Sequence, residues 1–282
     1  MDARQLFRSL VPTNFLRVSV RILLGQFPTT IFGMSGTAQS KTQFTRLLLV
    51  AAAPIEAEAA LAGLQGGSSA KRRSFTPWMP IAHEGVEIVQ SGLGKANAAG
   101  AAGHLADADR HDAILSVGIA GTLNRELTPI GSIVIASGSV FADEGLETPE
   151  GYSDCAAMGF PLGDFAGSEV PVSPEFALWL CETLSPLSPR QARIATVSTC
   201  SGTNARAEVV RQRTEAVAEA MEGAAVGLVA HRLRIPFAEI RVISNTTGDR
   251  KQQVWDIPMA IANLNRVIGL IAQRLRQSVP GA

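Results

Sequence analysis

Cysteine is scarce in this 282-residue chain, with only Cys155, Cys181 and Cys200. They are far apart and odd in number, and no CxxC pair occurs. That excludes a disulfide framework and a cysteine-histidine zinc site, and a reducing cytoplasm fits best. The four histidines, His83, His104, His111 and His231, show no HExxH pairing and read as packing or surface residues. Neither a metal nor an organic cofactor is therefore expected. An excess of one charge is also missing: 25 basic side chains meet 25 acidic ones, which argues against nucleic acid as a partner. No apolar run reaches the length of a membrane span, and the nearest, Ile22–Met34, is broken by Gln26, Pro28 and Gly33.

Apolar residues, by contrast, make up 46 % of the chain against 18 % charged, enough for one large core. Residues 1–44 read as an N-terminal extension distinct from a domain over 45–282. The extension carries Arg4, Arg8, Arg17, Arg21 and Lys41 against one acid, Asp2, without the continuous apolar segment of a secretory signal. Met34 opens the polar leader MSGTAQSKTQ and reads as an alternative start.

From Thr45 onward strand and helix patterns alternate. The run Leu47–Ala53 suits a buried parallel strand, and Pro54 suits the first turn of a helix through Leu64. Strands are predicted at Val86–Ser91, Ala113–Val117, Gly131–Ser137, Arg193–Ser198 and Ala238–Ser244. Helices are predicted at Ala96–Asp107, Phe176–Leu184, Ala205–Arg213, Ala216–Leu233 and Ile257–Leu275. GIAGTL after Val117 reads as a loop, and residues 142–174 as a long functional loop with short elements. The pattern predicts a single three-layer α/β domain, with a mostly parallel mixed sheet flanked by helices. In such sheets ligands bind beyond the strand C-termini, which nominates Ala51–Glu58, Ser91–Lys95, Gly118–Leu123, Thr199–Thr203 and Ser244–Arg250.

Four segments could carry chemistry. SGLGK (Ser91–Lys95) lacks the first glycine and the final Ser/Thr of a phosphate loop, and lacks the third glycine of a dinucleotide fingerprint; alone it is a tight strand-to-helix turn. Glu222, among small apolar residues in AEAMEGAAV, is either an exposed helix position with an ion pair or a carboxylate accepting from sugar hydroxyls. RVISNTTGDR (Arg241–Arg250) ends a strand in Ser244-Asn245 and turns through Asp249, which is either turn chemistry or a polar site edge. Glu56 sits in the first turn of its helix, either for the helix dipole or to hold a water.

Taken together, SGLGKANAA, VGIAGTL with GSIVIAS, AMEGAAV and RVISN, in this order and over roughly Leu47–Leu275, resemble the purine nucleoside phosphorylase and methylthioadenosine/S-adenosylhomocysteine nucleosidase superfamily. The phosphorylases carry an arginine before the VG loop and a phosphate site in the first loop. Here Ser116 and AAAPIEAEAA stand in those places, and Glu56 would repel phosphate. The resemblance therefore implies water as the nucleophile. Adenosine-type nucleosidases have Ser-Asp where this chain has Ser244-Asn245, and an asparagine amide, donor and acceptor at once, suits a 6-oxopurine better than adenine. FADEGLETPEGY and SNTTGDR with VWDIP resemble the futalosine-hydrolysing branch, which serves an alternative route to menaquinone; the chain departs from it around Lys251–Gln253.

The resemblance implies roles residue by residue. Glu56 would position and deprotonate the water, Glu222 would bind the ribose 2′- and 3′-hydroxyls, and Met221 would pack beside the sugar. Asn245 would read the base, and Ser244 and Gly121 would belong to the substrate site. Asp249 would be the acid/base partner, Thr199 and Arg206 would belong to the substrate loop, and Tyr152 would cover the 5′ substituent, with Arg206 or Arg250 for its carboxylate. A homo-oligomer is implied as well. Three alternatives stay open: an adenine-directed nucleosidase, a phosphorylase using an unrecognised anion site, and a non-catalytic nucleoside sensor on the same fold.

Overall fold

In the computed structural model, which describes residues 44–66 and 74–278, the apolar run LLLVA forms strand β1 (Leu47–Ala51) and is buried throughout. Its two faces go to different cores. Leu47, Leu49 and Ala51 join one cluster while Leu48 and Val50 join another, as the two-residue period of a strand requires. The extension expected over 1–44 lies, save Phe44, outside the described residues.

Along the chain follow α1 (Pro54–Leu64), β2 (Ile81–His83), β3 (Val86–Gln90), α2 (Lys95–Leu105), β4 (Ala113–Thr122) and β5 (Ile133–Phe141). Next come β6 (Gly145–Thr148), β7 (Gly151–Asp154), β8 (Glu169–Pro171), α3 (Pro174–Thr183) and β9 (Arg190–Thr196). The last elements are α4 (Asn204–Thr214), β10 (Ala218–Ala220), α5 (Gly223–Leu233), β11 (Phe237–Thr246) and α6 (Ile257–Gln277).

Nine strands form one mixed sheet in the order β10-β9-β5-β11-β4-β1-β3-β2, with β8 added to β5. The pairs β1–β3, β1–β4, β4–β11, β5–β9 and β9–β10 are parallel, while β5–β11, β2–β3, β5–β8 and β4–β10 are antiparallel. Helices α1, α3 and α6 share the core on one face, and α2 and α5 share that on the other. The predicted three-layer α/β architecture is therefore the observed one.

Two local expectations are corrected. GIAGTL is not a loop: β4 continues to Thr122, because β11 pairs with it as far as Thr246. Ala216–Leu233 is not one helix. Ala218 and Glu219 pair with Thr122 and Gly121 of β4, and the helix begins only at Gly223. The short elements expected within residues 142–174 are the hairpin β6–β7 and the short β8.

Both long strands extend past β1 and stay paired there, and the end of β4 also pairs with β10. This is the end of the sheet where the candidate residues gather.

Candidate active site

Glu56 lies in the first turn of α1, which Pro54 opens. Its side chain folds back on the helix start, so Oε2 accepts from the backbone N–H groups of Ala52 (3.2 Å) and Ala53 (2.7 Å). Oε1 reaches the sheet and accepts from Ile119 N–H of β4 at 2.8 Å. The group is 4 % exposed. Burial pushes its carboxyl above the ordinary value, opposed by nearby Arg241 and those backbone donors and reinforced by Glu222.

Arg241, on β11, is the cation at the centre and is 1 % exposed. Its Nε donates to Glu239 Oε1 at 2.8 Å and its Nη2 to Ser116 Oγ at 2.9 Å, with Glu222 Oε2 3.6 Å from Nη2. Glu239, two residues back on the same strand face, also accepts from Ser139. Glu222, just before α5, accepts from Gly94 N–H at 3.0 Å through Oε1 and from Met221 N–H at 3.2 Å through Oε2. Gly94 can present that N–H because it sits at φ +86° at the start of α2, a conformation open to glycine. The SGLGK turn is thus a backbone donor to Glu222.

Gly118 marks where these groups converge. A Cβ built there would lie 2.4 Å from Arg241 Nη1 and 2.5 Å from Glu56 Oε1. Three residues further along β4, roughly 10 Å at the usual rise of a strand, is Gly121. Gly121 pairs with Asn245 of β11 on one side and Glu219 of β10 on the other. Beside it opens a cavity of about 280 Å³ lined by Cys200, Ser201, Glu219, Asn245, Arg250 and Trp255 among others.

Asn245 is buried and its amide is fixed. Ser244 Oγ lies 2.8 Å from Oδ1, while Nδ2 donates to Thr246 O at 3.0 Å. One N–H and one oxygen lone pair remain for a ligand. Ser244 stands behind it, 3.2 Å from Ala120 O.

The other candidates are placed differently. Met221 is partly buried beside Glu222. Thr199 is exposed in the loop after β9. Asp249 engages Asn204 with both oxygens, Oδ1 to its N–H (3.0 Å) and Oδ2 to its side-chain amide (3.1 Å), and so holds the start of α4. Arg206 pairs with Asp143 at 3.4 Å, and Lys95 pairs with the same Asp143 and with Glu144. Tyr152 donates to Glu144 O at 2.7 Å beneath the Arg213 guanidinium, and burial pushes its phenol up to about 12. It borders a separate cavity of about 600 Å³.

Sequence reasoning passed over Arg241, Glu239 and Glu219, and noted Ser116 only as standing where the phosphorylases carry an arginine. Two charged residues on alternate positions of the apolar strand AEIRVIS are a legible signal of a buried ion pair. Glu219 was hidden by the mistaken helix.

Comparison with known proteins identifies the family and the fold. The family model described as the phosphorylase superfamily matches residues 46–279. A futalosine hydrolase of Streptomyces coelicolor is 32 % identical over 203 residues, covering 70 % of this chain and 83 % of the relative. One of Acidothermus cellulolyticus is 32 % identical over 231 residues, covering 79 % and 89 %. Among solved structures, the 5'-methylthioadenosine/S-adenosylhomocysteine nucleosidase of Campylobacter jejuni superposes with a TM-score of 0.62 at 20 % identity, over 83 % of this chain and 99 % of that one.

Proposed function

The chain belongs to the phosphorylase superfamily, and from that premise we propose that it is a nucleosidase hydrolysing the N-ribosidic bond of futalosine, to give hypoxanthine and dehypoxanthine futalosine on a route to menaquinone. The observation that carries the base preference is Asn245. Its anchored amide offers one donor and one acceptor to the cavity, which match O6 and N1–H of a 6-oxopurine.

The remaining geometry supports hydrolysis. The bond breaks through an oxocarbenium-like transition state, so the sugar needs nearby negative charge and the water needs a base on the face away from the purine. Glu222, aligned by Gly94 and Met221, accepts the ribose hydroxyls and supports the ring's positive charge. Glu56 accepts the water proton, and its upward-shifted carboxyl makes it a stronger base than a solvated one. Arg241 Nε and Nη2 are already engaged by Glu239 and Ser116, so this cation does not serve as a phosphate site. Arg250, stacked on Trp255 at the cavity, is better placed than the Asp143-paired Arg206 to meet a carboxylate on the substrate. Exposed Ile55 beside Glu56 and Leu93 beside Gly94 support a homo-oligomer covering this end. The unpaired cysteines fit the cytoplasm. Among the described residues no helix is long and apolar enough to cross a membrane.

The test is to incubate the protein with futalosine, inosine, methylthioadenosine and S-adenosylhomocysteine and identify the free base by chromatography. Hypoxanthine from futalosine is the expected product. Adenine from the thioethers would overturn the base assignment, and saturable binding without any free base would make the protein a sensor.

A further inference from the structure

A nucleosidase must neutralise the leaving purine, and the asparagine at position 245 cannot, because an amide does not titrate near neutrality. Three ionisable side chains line the cavity beside it: Cys200, Glu219 and Arg250. Arginine does not surrender a proton in proteins, and a thiol is a weak donor. Cys200 is held neutral besides, its thiol pushed up by desolvation and by Glu219 and Glu222.

Glu219 is differently placed. The strand pairing sets it and Asn245 on either side of Gly121, over which the Asn245 amide packs: a Cβ there would lie 3.1 Å from its Nδ2. The three residues form a row across β10, β4 and β11, facing one cavity of about 280 Å³. The carboxyl is 6 % exposed and held by one residue, Ser201, whose N–H donates to Oε1 at 2.8 Å and whose Oγ lies 2.6 Å from Oε2. No role assigned so far uses it.

The geometry points to Glu219 as the catalytic acid that protonates the departing purine, an inference that rests on the hydrolase reading above. As the C1′–N9 bond breaks, its electron pair moves onto the base and the Glu219 O–H proton passes to purine N7. The base leaves as neutral hypoxanthine. Water oxygen bonds to C1′ and gives one proton to Glu56. Proton exchange with solvent then returns Glu219 to the acid and Glu56 to the carboxylate, so the cycle closes with water consumed and no other reactant.

The surroundings suit an acid. Burial raises the Glu219 carboxyl, the two Ser201 donors and Arg206 work against this, and Asp143 reinforces it. Arg250 and Cys200 are the other titratable groups facing the cavity. Since the acid works protonated, turnover should fall as pH rises through its value.

The experiment compares wild type, Glu219→Gln and Ser201→Ala on futalosine across pH. It also uses 7-methylinosine, whose N7 is already substituted and positively charged. Glu219→Gln should lose about 10²–10⁴-fold in kcat on futalosine, the scale of a general acid. It should also lose the high-pH limb of the profile and change little on 7-methylinosine. Ser201→Ala, which removes one donor to the carboxylate, should keep the limb and shift it to higher pH. Equal losses on both substrates, or a Glu219→Gln profile that keeps the wild-type limb, would overturn the assignment while leaving the hydrolase reading intact. A wild type that releases no base from futalosine would overturn that reading and this inference together.

Discussion

Removing the central cation should expose how much the carboxylate cluster depends on it. Arg241→Met keeps most of the side-chain length but leaves Glu239 at 0 % and Glu222 at 5 % exposure without their partner. Removing one member of a buried ion pair costs about 3–5 kcal/mol, because the remaining charge stays buried. At roughly 2–4 °C per kcal/mol for a domain of this size, the thermal midpoint should fall by about 6–20 °C. The loss should depend on pH with a definite sign. Without Arg241 a buried carboxyl such as Glu56 loses the cation that opposes its upward shift, so its folded-state value rises further above the unfolded one. Such groups contribute their full stability below the unfolded value, near 4.3, and lose it as pH rises through the folded value. Thermal denaturation of both proteins at about pH 5.5 and about pH 8 should therefore show the larger gap at the higher pH. Adding Glu239→Gln to Arg241→Met should recover part of it. A gap that is the same at both values, or no gap at all, would refute the view that Arg241 neutralises this cluster.

Other consequences can be checked separately. Glu222→Ala should fold and lose turnover by ~10²–10⁴-fold; retained turnover would remove the sugar-binding role. Gly118→Ala places a Cβ 2.4 Å from Arg241 Nη1 and 2.5 Å from Glu56 Oε1, and should destabilise by about 1–3 kcal/mol in denaturant titration while lowering activity. In Glu56→Gln the raised carboxyl is gone, so its midpoint relative to wild type should improve as pH rises above the unfolded glutamate value, measured by thermal melts without ligand. Asn245→Asp should shift the ratio of adenine to hypoxanthine release by at least ~10-fold toward adenine, about one hydrogen bond's worth, in the base-release assay.

The sheet was legible where strands are buried on both faces: LLLVA is a continuous apolar run and AILSV is broken only by Ser116, with no competing helical period. GIAGTL was not, since two glycines in six residues read as a loop, and only the pairing with β11 keeps that stretch extended. Likewise the alanine-rich AEAMEGAAV favours a helix locally, and the tertiary pairing of Ala218 and Glu219 with β4 overrides that preference. This single misreading concealed Glu219, because helical spacing separates it from Gly121 and Asn245 whereas strand register aligns all three. Glu56, Glu222 and Asn245 could be nominated because each interrupts an apolar element near a strand end. Arg241 was passed over although it stands in such an element, and its neutralising role emerges only when β11 lies beside β4. Asp249 and Tyr152 were named from segment likeness, and the structure engages them with Asn204 and with Glu144 and Arg213.

The most direct test of the whole account is the rate of base release from futalosine in phosphate-free buffer, set against methylthioadenosine under the same conditions. Hypoxanthine released without phosphate, at a kcat/KM well above that for adenine release from the thioether, is the expected result. Release that requires phosphate, or a preference for methylthioadenosine, would contradict it.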